Sequence, residues 1–386
     1  MAVQLLITDE NLAVQGDPLS GWTGLDATKR FNEPGSGSVG LPARPDVMAQ
    51  LQPGNRLVLI RDGAVWMAGP LEIPADFSWS VADNPGVGSV GVSFADDLAV
   101  VAGYITWPNP ASAWTAQLAN THRQIPSTNA ETIIRQLVNE NCGPGARAER
   151  RIPNFALDDV AEVGSTTTVN TRFEALLDTC RRVAIDGGQI GFRTRQTATQ
   201  VLFGCYAPRD LTSTARFSIG LGNLRSIQAK QSAPTITHAL IAGTEPETGT
   251  AGRTYVQLAD TAAAASWWRV EKYIDGSADT DATGELTQAG REELAGGAAP
   301  VELGTVTVDT PDLRAGRDFD LGDRVTVELP YGVEIADLVR SIHLQATPTS
   351  GEYVTTLIGS PEATSAPETV KALRTLGRRL GRLETR

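Results

Sequence analysis

The sequence offers few residues whose types and spacing would support chemistry. Its histidines are His122, His238 and His343, and none has a cysteine or carboxylate at the spacing of a metal site. The sequence contains neither a GxSxG nucleophile elbow nor a Walker phosphate loop. These absences argue against an enzyme, including a peptidase or a cell-wall hydrolase, and we predict no cofactor.

One glycine-rich segment, residues 35–40, matches the GxGxxG pattern of dinucleotide-binding sites. Such a site needs a strand before the glycines and a helix after them, so that the helix N-terminus meets the phosphates. Pro34 and Pro42 flank the segment and disfavour a helix start. We therefore predict a flexible loop rather than a cofactor site.

An acidic stretch at 275–284 partly resembles a calcium-binding loop. Asp279, Asp281 and Gly284 fit its first, third and sixth positions, but Gly290 stands where the bidentate glutamate belongs. Without that glutamate the cation loses two oxygen ligands. A solvated loop is favoured, and calcium at Asp279 and Asp281 is the alternative.

Two carboxylate pairs, Asp96-Asp97 and Asp158-Asp159, would suit acid–base chemistry if their side chains converged. Adjacent residues of a strand point to opposite faces of the sheet, however. We predict that both pairs occupy turns or the surface.

Composition and charge narrow the class of protein. At 386 residues, 41% hydrophobic and 20% charged, the chain has room for two or three domains. The net charge of −12 argues against duplex binding as the main role, because phosphates require a basic face. An acidic surface suits a conduit that DNA passes without sticking, and it equally suits solubility. No apolar run is long enough for a spanning helix, so we expect no membrane insertion.

The pattern of elements is mainly β. Alternating segments bounded by turn residues predict strands, and Asp62-Gly63 predicts a two-residue hairpin turn. The predicted strands are 56–61, 64–69, 87–94, 190–195, 201–206, 237–242, 301–308 and 352–358.

Two helices are marked by capping signals and apolar periodicity. Thr128 and Glu131 have capping-box spacing before one helix, and Thr171 and Glu174 repeat that spacing before a second. A shorter third helix is predicted over 285–295. The apolar face of the second helix includes Cys180, which we interpret as a buried small side chain; with Cys142 and Cys205 it lacks the spacing of a zinc site or disulfide framework.

The last residues form a separate unit. Residues 361–386 are predicted to form a linker followed by an amphipathic helix, because their leucines recur at spacings of three and four. The helix would either dock on its own subunit or meet a partner. The leucines proposed for a partner contact are Leu373, Leu376, Leu380 and Leu383.

An internal repeat is the most informative feature of the sequence. Gly54 and Gly322 each begin a glycine, small polar residue and arginine motif, which a strand, a glycine-containing turn and a return strand follow. Leu51 and Phe319 precede the two copies at the same offset. This match predicts two related β modules. Their arginines, Arg56 and Arg324, are candidate interface residues.

An ordered set of motifs resembles a family of minor tail proteins from siphophages of actinobacteria. The motifs lie at 30–35, 51–54, 61–63, 69–70, 206–211, 217–226, 289–294, 309–311 and 321–325. Each is unspecific alone, but together they run in order over nearly the whole chain.

The resemblance implies a trimeric tail hub with two tail-tube-like antiparallel β-barrels per chain, so that three chains match a sixfold tube. The expected fold is mainly β with α+β insertions. The expected domains are a first barrel at 1–105, an α/β insertion at 106–216, a second barrel at 217–243 plus 301–360, and an insertion at 244–300.

The same resemblance implies a place at the tail tip of the virion, with assembly in the host cytoplasm. Expected partners are the tail tube or distal tail protein, the tape measure protein, and tip fibre or receptor-binding proteins, with genomic DNA only in transit. Three alternatives remain. They are a cell-wall hydrolase, a glycan-binding receptor protein using Trp107, Trp114 or Trp267, and the hexameric distal tail ring protein.

Overall fold

A computed structural model describes residues 3–78, 88–117, 121–231, 233–244, 252–275, 283–298, 301–329 and 332–359. The strands are β1 (Gln4–Thr8), β2 (Gly24–Arg30), β3 (Glu33–Pro42), β4 (Arg56–Arg61), β5 (Ala64–Ser78), β6 (Ser89–Ala95), β7 (Arg123–Asn129), β8 (Phe155–Leu157), β9 (Thr166–Thr171), β10 (Gly191–Gln196), β11 (Val201–Tyr206), β12 (Arg216–Phe217), β13 (Leu224–Gln231), β14 (His238–Ala242), β15 (Tyr255–Ala259), β16 (Glu271–Asp275), β17 (Val301–Thr307), β18 (Arg324–Glu328), β19 (Glu334–Thr347) and β20 (Gly351–Ile358). The helices are α1 (Pro45–Gln50), α2 (Leu98–Ala102), α3 (Ala130–Asn141), α4 (Leu176–Asp186), α5 (Thr261–Ser266) and α6 (Thr283–Gly297).

One ten-stranded sheet organises the chain. Its order is β1-β4-β5-β6-β3-β2-β19-β18-β12, and β20 pairs with β19 beside this path. All of its neighbours are antiparallel except β12 and β18. The mainly β expectation is confirmed, and two distant parts of the chain meet in this sheet at β2 and β19.

The strand order repeats within the chain. The first set is β1-β4-β5-β6-β3-β2, which we call module one. The second, module two, consists of β12-β18-β19-β20 and the separate two-stranded sheet β17-β13, whose β17 contacts β20 through threonine hydroxyls. The backbone N–H of Thr356 donates to Thr307 Oγ1 at 3.2 Å, and that of Ile358 donates to Thr305 Oγ1 at 3.3 Å. The first strands differ, because β1 is antiparallel to β4 whereas β12 is parallel to β18.

The turns that enter the two modules also match. Gly54 and Gly322 both have positive φ, at 89° and 83°, which explains glycine at both positions. After each turn the same backbone hydrogen bond forms: Leu71 N–H donates to Asn55 O at 3.0 Å, and Val339 N–H donates to Asp323 O at 2.9 Å. The local geometry therefore supports the predicted repeat.

Three hydrophobic clusters underlie these elements. The largest is shared by the two modules and includes Leu57, Phe94, Phe217 and Val325. A second joins α3 and α4 to the sheet of β10, β11 and β8, and a third, smaller one packs α6 against β14. Because residues of both modules belong to the largest cluster, the modules share one hydrophobic core. Burial of apolar side chains is the main source of folding free energy, so this core stabilises both modules together.

Two helix starts differ from the capping-box prediction. Helix α3 begins after Asn129, whose Oδ1 accepts the Thr132 N–H, and not after Thr128. Glu131 is buried and accepts the backbone N–H groups of Ala161 and Val163 instead of closing a capping box. Helix α4 begins later than predicted, because β9 extends to Thr171. The interaction of Glu131 with a distant loop outweighed the local signal.

The loop predicted at the GxGxxG segment is wrong. Residues 35–40 lie inside β3, paired with β2 and β6. A Cβ on Gly37 would approach the Phe94 ring to 2.4 Å, so the glycine makes room for a core side chain. The pattern therefore has a packing cause and neither a loop nor a cofactor role.

Candidate functional site

The junction between the modules is a continuous antiparallel ladder. It pairs β19 with β2 over six positions, from Ser341 opposite Arg30 to Ala346 opposite Leu25. His343 Nε2 lies 2.8 Å from Asp26 Oδ1 across this ladder. Strand pairing removes one exposed edge from each module and fixes their relative register.

A buried ion cluster reinforces the junction. Arg61 at the end of β4 donates through Nε to Glu352 Oε2 at 2.9 Å, and through Nη2 to Asp309 Oδ2 at 3.3 Å. The side chains of Arg61, Asp309 and Glu352 are 6, 14 and 12% exposed. Hydrogen bonds and charge from both carboxylates raise the pKa of Arg61 despite the opposing effect of its burial. One guanidinium of module one thus pairs with two carboxylates of module two.

The candidate interface residue Arg56 lies in an internal ion pair. Its guanidinium is buried and donates to both oxygens of Asp97, at 2.7 and 2.8 Å, and to Gln196 of β10. Asp97 lies in a turn, as predicted, but it is not a surface residue, because its carboxylate is buried by this pair. Arg56 thereby ties module one to the neighbouring α/β region.

The second candidate, Arg324, is exposed at the start of β18. Its backbone, rather than its side chain, makes the described contacts, with Arg209 O at 2.9 Å and the Leu211 N–H at 2.8 Å. Arg324 is therefore available to a partner, whereas Arg56 is not accessible in the single chain. A partner contact at either residue remains a prediction.

Asn32 is a connecting residue whose contacts were not predicted, although it lies in the motif at 30–35 that resembles the tail-protein family. It lies between β2 and β3 with φ 54° and is buried. Its Nδ2 donates to Ile190 O at 3.0 Å, and its Oδ1 accepts the Phe192 N–H at 2.8 Å. Arg181 Nε donates to the Asn32 backbone oxygen at 2.8 Å. The hairpin tip of module one is thus fastened to α4 and β10.

A charged cleft of about 590 Å³ lies where β5, β10 and the loop before β18 meet. Its charges are largely paired, with Arg193 3.5 Å from Asp320 and Arg195 3.0 Å from Asp158. Burial lowers the pKa of Lys29 at its edge, although Asp320 at 3.9 Å acts in the opposite direction. Paired charges of this kind hold elements together. Across the described ranges, no three His, Cys, Asp or Glu side chains are grouped to hold a metal ion.

Asp96 lies beside this cleft and titrates unusually. Its Oδ2 accepts the Gly35 N–H at 2.8 Å and its Oδ1 accepts the Leu98 N–H at 3.0 Å. Burial raises the pKa of its carboxyl from 3.8 to about 6, and the neighbouring Asp97 adds to the rise. The folded protein therefore holds this proton to a higher pH than the unfolded chain does.

The raised pKa of Asp96 makes the stability of the protein depend on pH. Because the native state binds more protons between pH 3.8 and about 6, the free energy of unfolding falls as pH rises through that interval, by roughly 1–3 kcal/mol for this group. Asp96→Asn should reduce that fall in urea titrations at pH 4 and pH 7. Asp186, whose pKa burial also raises to about 6, leaves a residual slope. The exposed Asp46→Asn is the control, and an unchanged slope in Asp96→Asn would contradict the assignment.

The remaining predicted sites fall in several places. The calcium candidates Asp279 and Asp281 and the terminal leucines Leu373, Leu376, Leu380 and Leu383 lie outside the described residues. His238 lies in β14, within the predicted strand 237–242, and His343 lies in β19. The three cysteines are free and buried, and burial raises the pKa of Cys142 and Cys205 to about 12.

The three tryptophans proposed for glycan binding have different surroundings. Trp107 packs on the Arg150 guanidinium, with 4.1 Å between the ring centroid and Cζ. Trp114 is 76% exposed, and Trp267 lies edge-on against Trp268 after α5. Trp107 thus packs against a side chain of its own chain.

Strand edges complete the candidate surface. Residues 71–78 of β5 pair with β6 on one edge, and the other edge has no strand partner in the ranges that the structure describes. Strand β13 pairs with β17 and likewise leaves its second edge without a described partner. Long unpaired edges favour pairing with another chain.

Nearly the whole chain matches a known protein family. The model of the Siphovirus ReqiPepy6 Gp37-like protein family matches residues 4–360. The chain belongs to this family. Membership in the Gp37-like family confirms the siphophage family recognised from the ordered motifs. No curated protein sequence is significantly similar to the chain.

Solved structures share the fold of this Gp37-like chain. A 43 kDa tail protein of prophage MuSo2 from Shewanella oneidensis is 14% identical with a TM-score of 0.58, covering 94% of this chain and 100% of its own. A tail protein from Neisseria meningitidis MC58 is 12% identical with a TM-score of 0.56, covering 94 and 98%. Prophage tail protein gp18 from Listeria monocytogenes EGD-e is 11% identical with a TM-score of 0.53, covering 98 and 99%. Among the described residues, no helix combines the length and apolarity that crossing a membrane requires.

Proposed function

We propose that the chain is a structural protein of a siphophage tail, acting as a trimeric hub that closes the tail tube at its distal end. Family membership over residues 4–360 supports a phage protein, and the solved tail proteins of the same fold support a place in the tail. The observation that carries the hub proposal is the repeated strand order of modules one and two.

The repeat matters because of symmetry. A sixfold tube offers six equivalent contacts, and three chains with two equivalent modules each supply six matching surfaces. A chain with one module would need six copies for the same contacts. The hub function therefore depends on both modules presenting the same face at the same distance from a common axis.

Rigidity between the modules is the second requirement. The β2–β19 ladder, the Arg61 cluster and the shared hydrophobic core join the modules without a flexible linker. A removed charge in such a cluster leaves its partners buried and uncompensated, so alternative module arrangements are costly. This rigidity would hold the ring closed until contact with the host opens it.

Charge is compatible with DNA passage through the ring. With a net charge of −12, the chain repels phosphates rather than binding them. Its proposed lasting partners are proteins: the tail tube or distal tail protein above, the tape measure protein within, and tip fibre or receptor-binding proteins below. No catalytic step is part of the proposal.

The native mass of the purified full chain tests the subunit number. A hub should give three times the 40.9 kDa of one chain at micromolar concentration. Six copies would favour a distal ring protein, and a monomer at all concentrations would contradict the hub. Detection of the chain at the tail end of virions by gold-labelled antibody tests the position, and label along the whole tube would contradict it.

A further inference from the structure

Strand β19 has strand partners along both of its edges. Residues 334–338 pair with β18 on one edge, and residues 339–347 pair with β20 on the other. Beyond the end of β18, the first edge continues into the ladder with β2 of module one. Within one chain, β19 of module two thus pairs with β2 of module one.

Strand β5 has the same construction in module one. Residues 64–70 pair with β4 on one edge, and residues 71–78 pair with β6 on the other. Beyond the end of β4, the first edge is the one left without a strand partner in the described chain. It occupies the position at which β19 receives β2.

Strand β13 is the counterpart of β2. Both belong to a strand pair, β2 with β3 and β13 with β17. Strand β3 pairs with β6, the third strand of the β4–β5–β6 meander, and β17 contacts β20, the third strand of the β18–β19–β20 meander, through Thr305 and Thr307. The second edge of β2 enters the junction with β19. The second edge of β13 has no described strand to enter.

We infer that β13 of one subunit pairs in antiparallel fashion with residues 71–78 of β5 in the next copy of the same chain. This inference rests on the proposed trimeric hub and names its interface. Each chain then offers one donor edge and one acceptor edge, which is a heterologous contact that closes after three copies. Three junctions within chains and three between chains would alternate around the ring, and the β5 and β13 edges of all three chains would be paired.

The pairing register follows from the internal junction. In module two, Gln345 lies opposite Asp26, and Gln345 also lies opposite Tyr353 of β20. Leu71 lies opposite Phe94 and Val339 lies opposite Ile358. Five residues back along these partner strands lie Ser89 and Tyr353, so Ser78, opposite Ser89, is the counterpart of Gln345.

The residue of β13 that lies opposite Ser78 follows from the correspondence between β2 and β13. Asp26 lies opposite Ser38 of β3, and Ser226 lies opposite Val306 of β17. The threonine contacts between β17 and β20 place Val306 as the counterpart of Ser38. Ser78 of one subunit should therefore lie opposite Ser226 of the partner subunit, and both residues are exposed in the single chain.

A cysteine pair tests this register in the full-length protein. Ser78→Cys with Ser226→Cys in one chain should form cross-links between subunits on mild oxidation or with a short bismaleimide. Directly opposite strand residues have their Cβ atoms about 4.5–5.5 Å apart, within reach of both reagents. Denaturing gels should show covalent dimers and trimers, with the ladder ending at the trimer. The native cysteines are buried, so they need no replacement.

Matched controls separate the register from chance contact. Each single variant should give no ladder, and Asp26→Cys with Gln345→Cys should form its bond within one chain. Gln4→Cys with Ser226→Cys tests the competing edge at β1, because Gln4 is also exposed on a terminal strand. Cross-linking of that pair in place of the Ser78 pair would overturn the inference.

The outcomes distinguish this inference from the hub proposal. A native trimer in which the Ser78 and Ser226 cysteines do not react would overturn the strand pairing and leave the trimeric hub standing. Cross-linked species extending beyond the trimer would overturn ring closure. A native mass of one subunit for the reduced, folded variant and for the unmodified chain would overturn both.

Discussion

Replacing Arg61 with methionine should lower the free energy of unfolding by about 3–5 kcal/mol, because it leaves Asp309 and Glu352 buried without their shared cation. Methionine keeps much of the volume of the arginine stem, so the loss reports charge more than packing. Urea titration at fixed protein concentration measures the effect. The exposed pair of Arg44 and Asp46 provides the control, and Arg44→Met should cost less than about 1 kcal/mol.

The cause can be separated from a general packing defect. If uncompensated charge is responsible, adding Asp309→Asn and Glu352→Gln to Arg61→Met should recover a large part of the lost stability. Acidification should also narrow the gap between Arg61→Met and the unmodified protein, since protonation neutralises the stranded carboxylates. A gap that is independent of pH and of the added substitutions would contradict the charge mechanism.

Replacing Asn32 with alanine should cost about 2–5 kcal/mol. The change leaves Ile190 O and the Phe192 N–H buried without their side-chain partner, and it puts alanine at a φ of 54°. Asn32→Gly separates the two contributions, because glycine accepts this backbone conformation but restores neither hydrogen bond. Thermal or urea unfolding of both variants measures them.

The expected order of stability is unmodified protein, then Asn32→Gly, then Asn32→Ala. Equal stability of the glycine variant and the unmodified protein would show that the hydrogen bonds to β10 contribute little. In that case the attachment of module one to the α/β region would rest on the Arg56 and Asp97 pair and on apolar packing.

Local signals in the sequence predicted much of the strand pattern. The Asp62-Gly63 hairpin is present with both residues at positive φ, and β11 has the predicted bounds of 201–206. Predictions at β4, β14, β17 and β20 differ from the structure by at most one residue at either end. These elements are set by short-range alternation and turn chemistry, which a single sequence contains.

Long-range contacts were not predictable in the same way. The β2–β19 ladder joins residues more than 300 positions apart, and its register depends on burial in a shared core. Arg56 looked like an exposed interface residue because its partner Asp97 is remote in sequence. Glu131 looked like a capping residue because the loop whose N–H groups it accepts is remote as well. Polar residues that bind across the fold have no periodic signal.

The internal repeat is visible in the sequence as an entry motif followed by a strand, a glycine-containing turn and a return strand. Its value was that glycine at 54 and 322 reports a backbone conformation and not a side-chain preference. The family resemblance supplied the expectation of two tube-like units. The threonine contacts that connect β17 to β20, and so complete the second strand order, gave no recognisable pattern in the sequence.

The most direct test of the central claim is an averaged electron-microscopy view of the purified assembly down its axis. Three chains should present six lobes of similar shape at one radius. Successive lobes should differ in detail, because module one and module two alternate around the ring and are similar but not identical. Three lobes at one radius and three at another, or six chains in the ring, would contradict the claim that the repeated module lets a trimer match a sixfold tube.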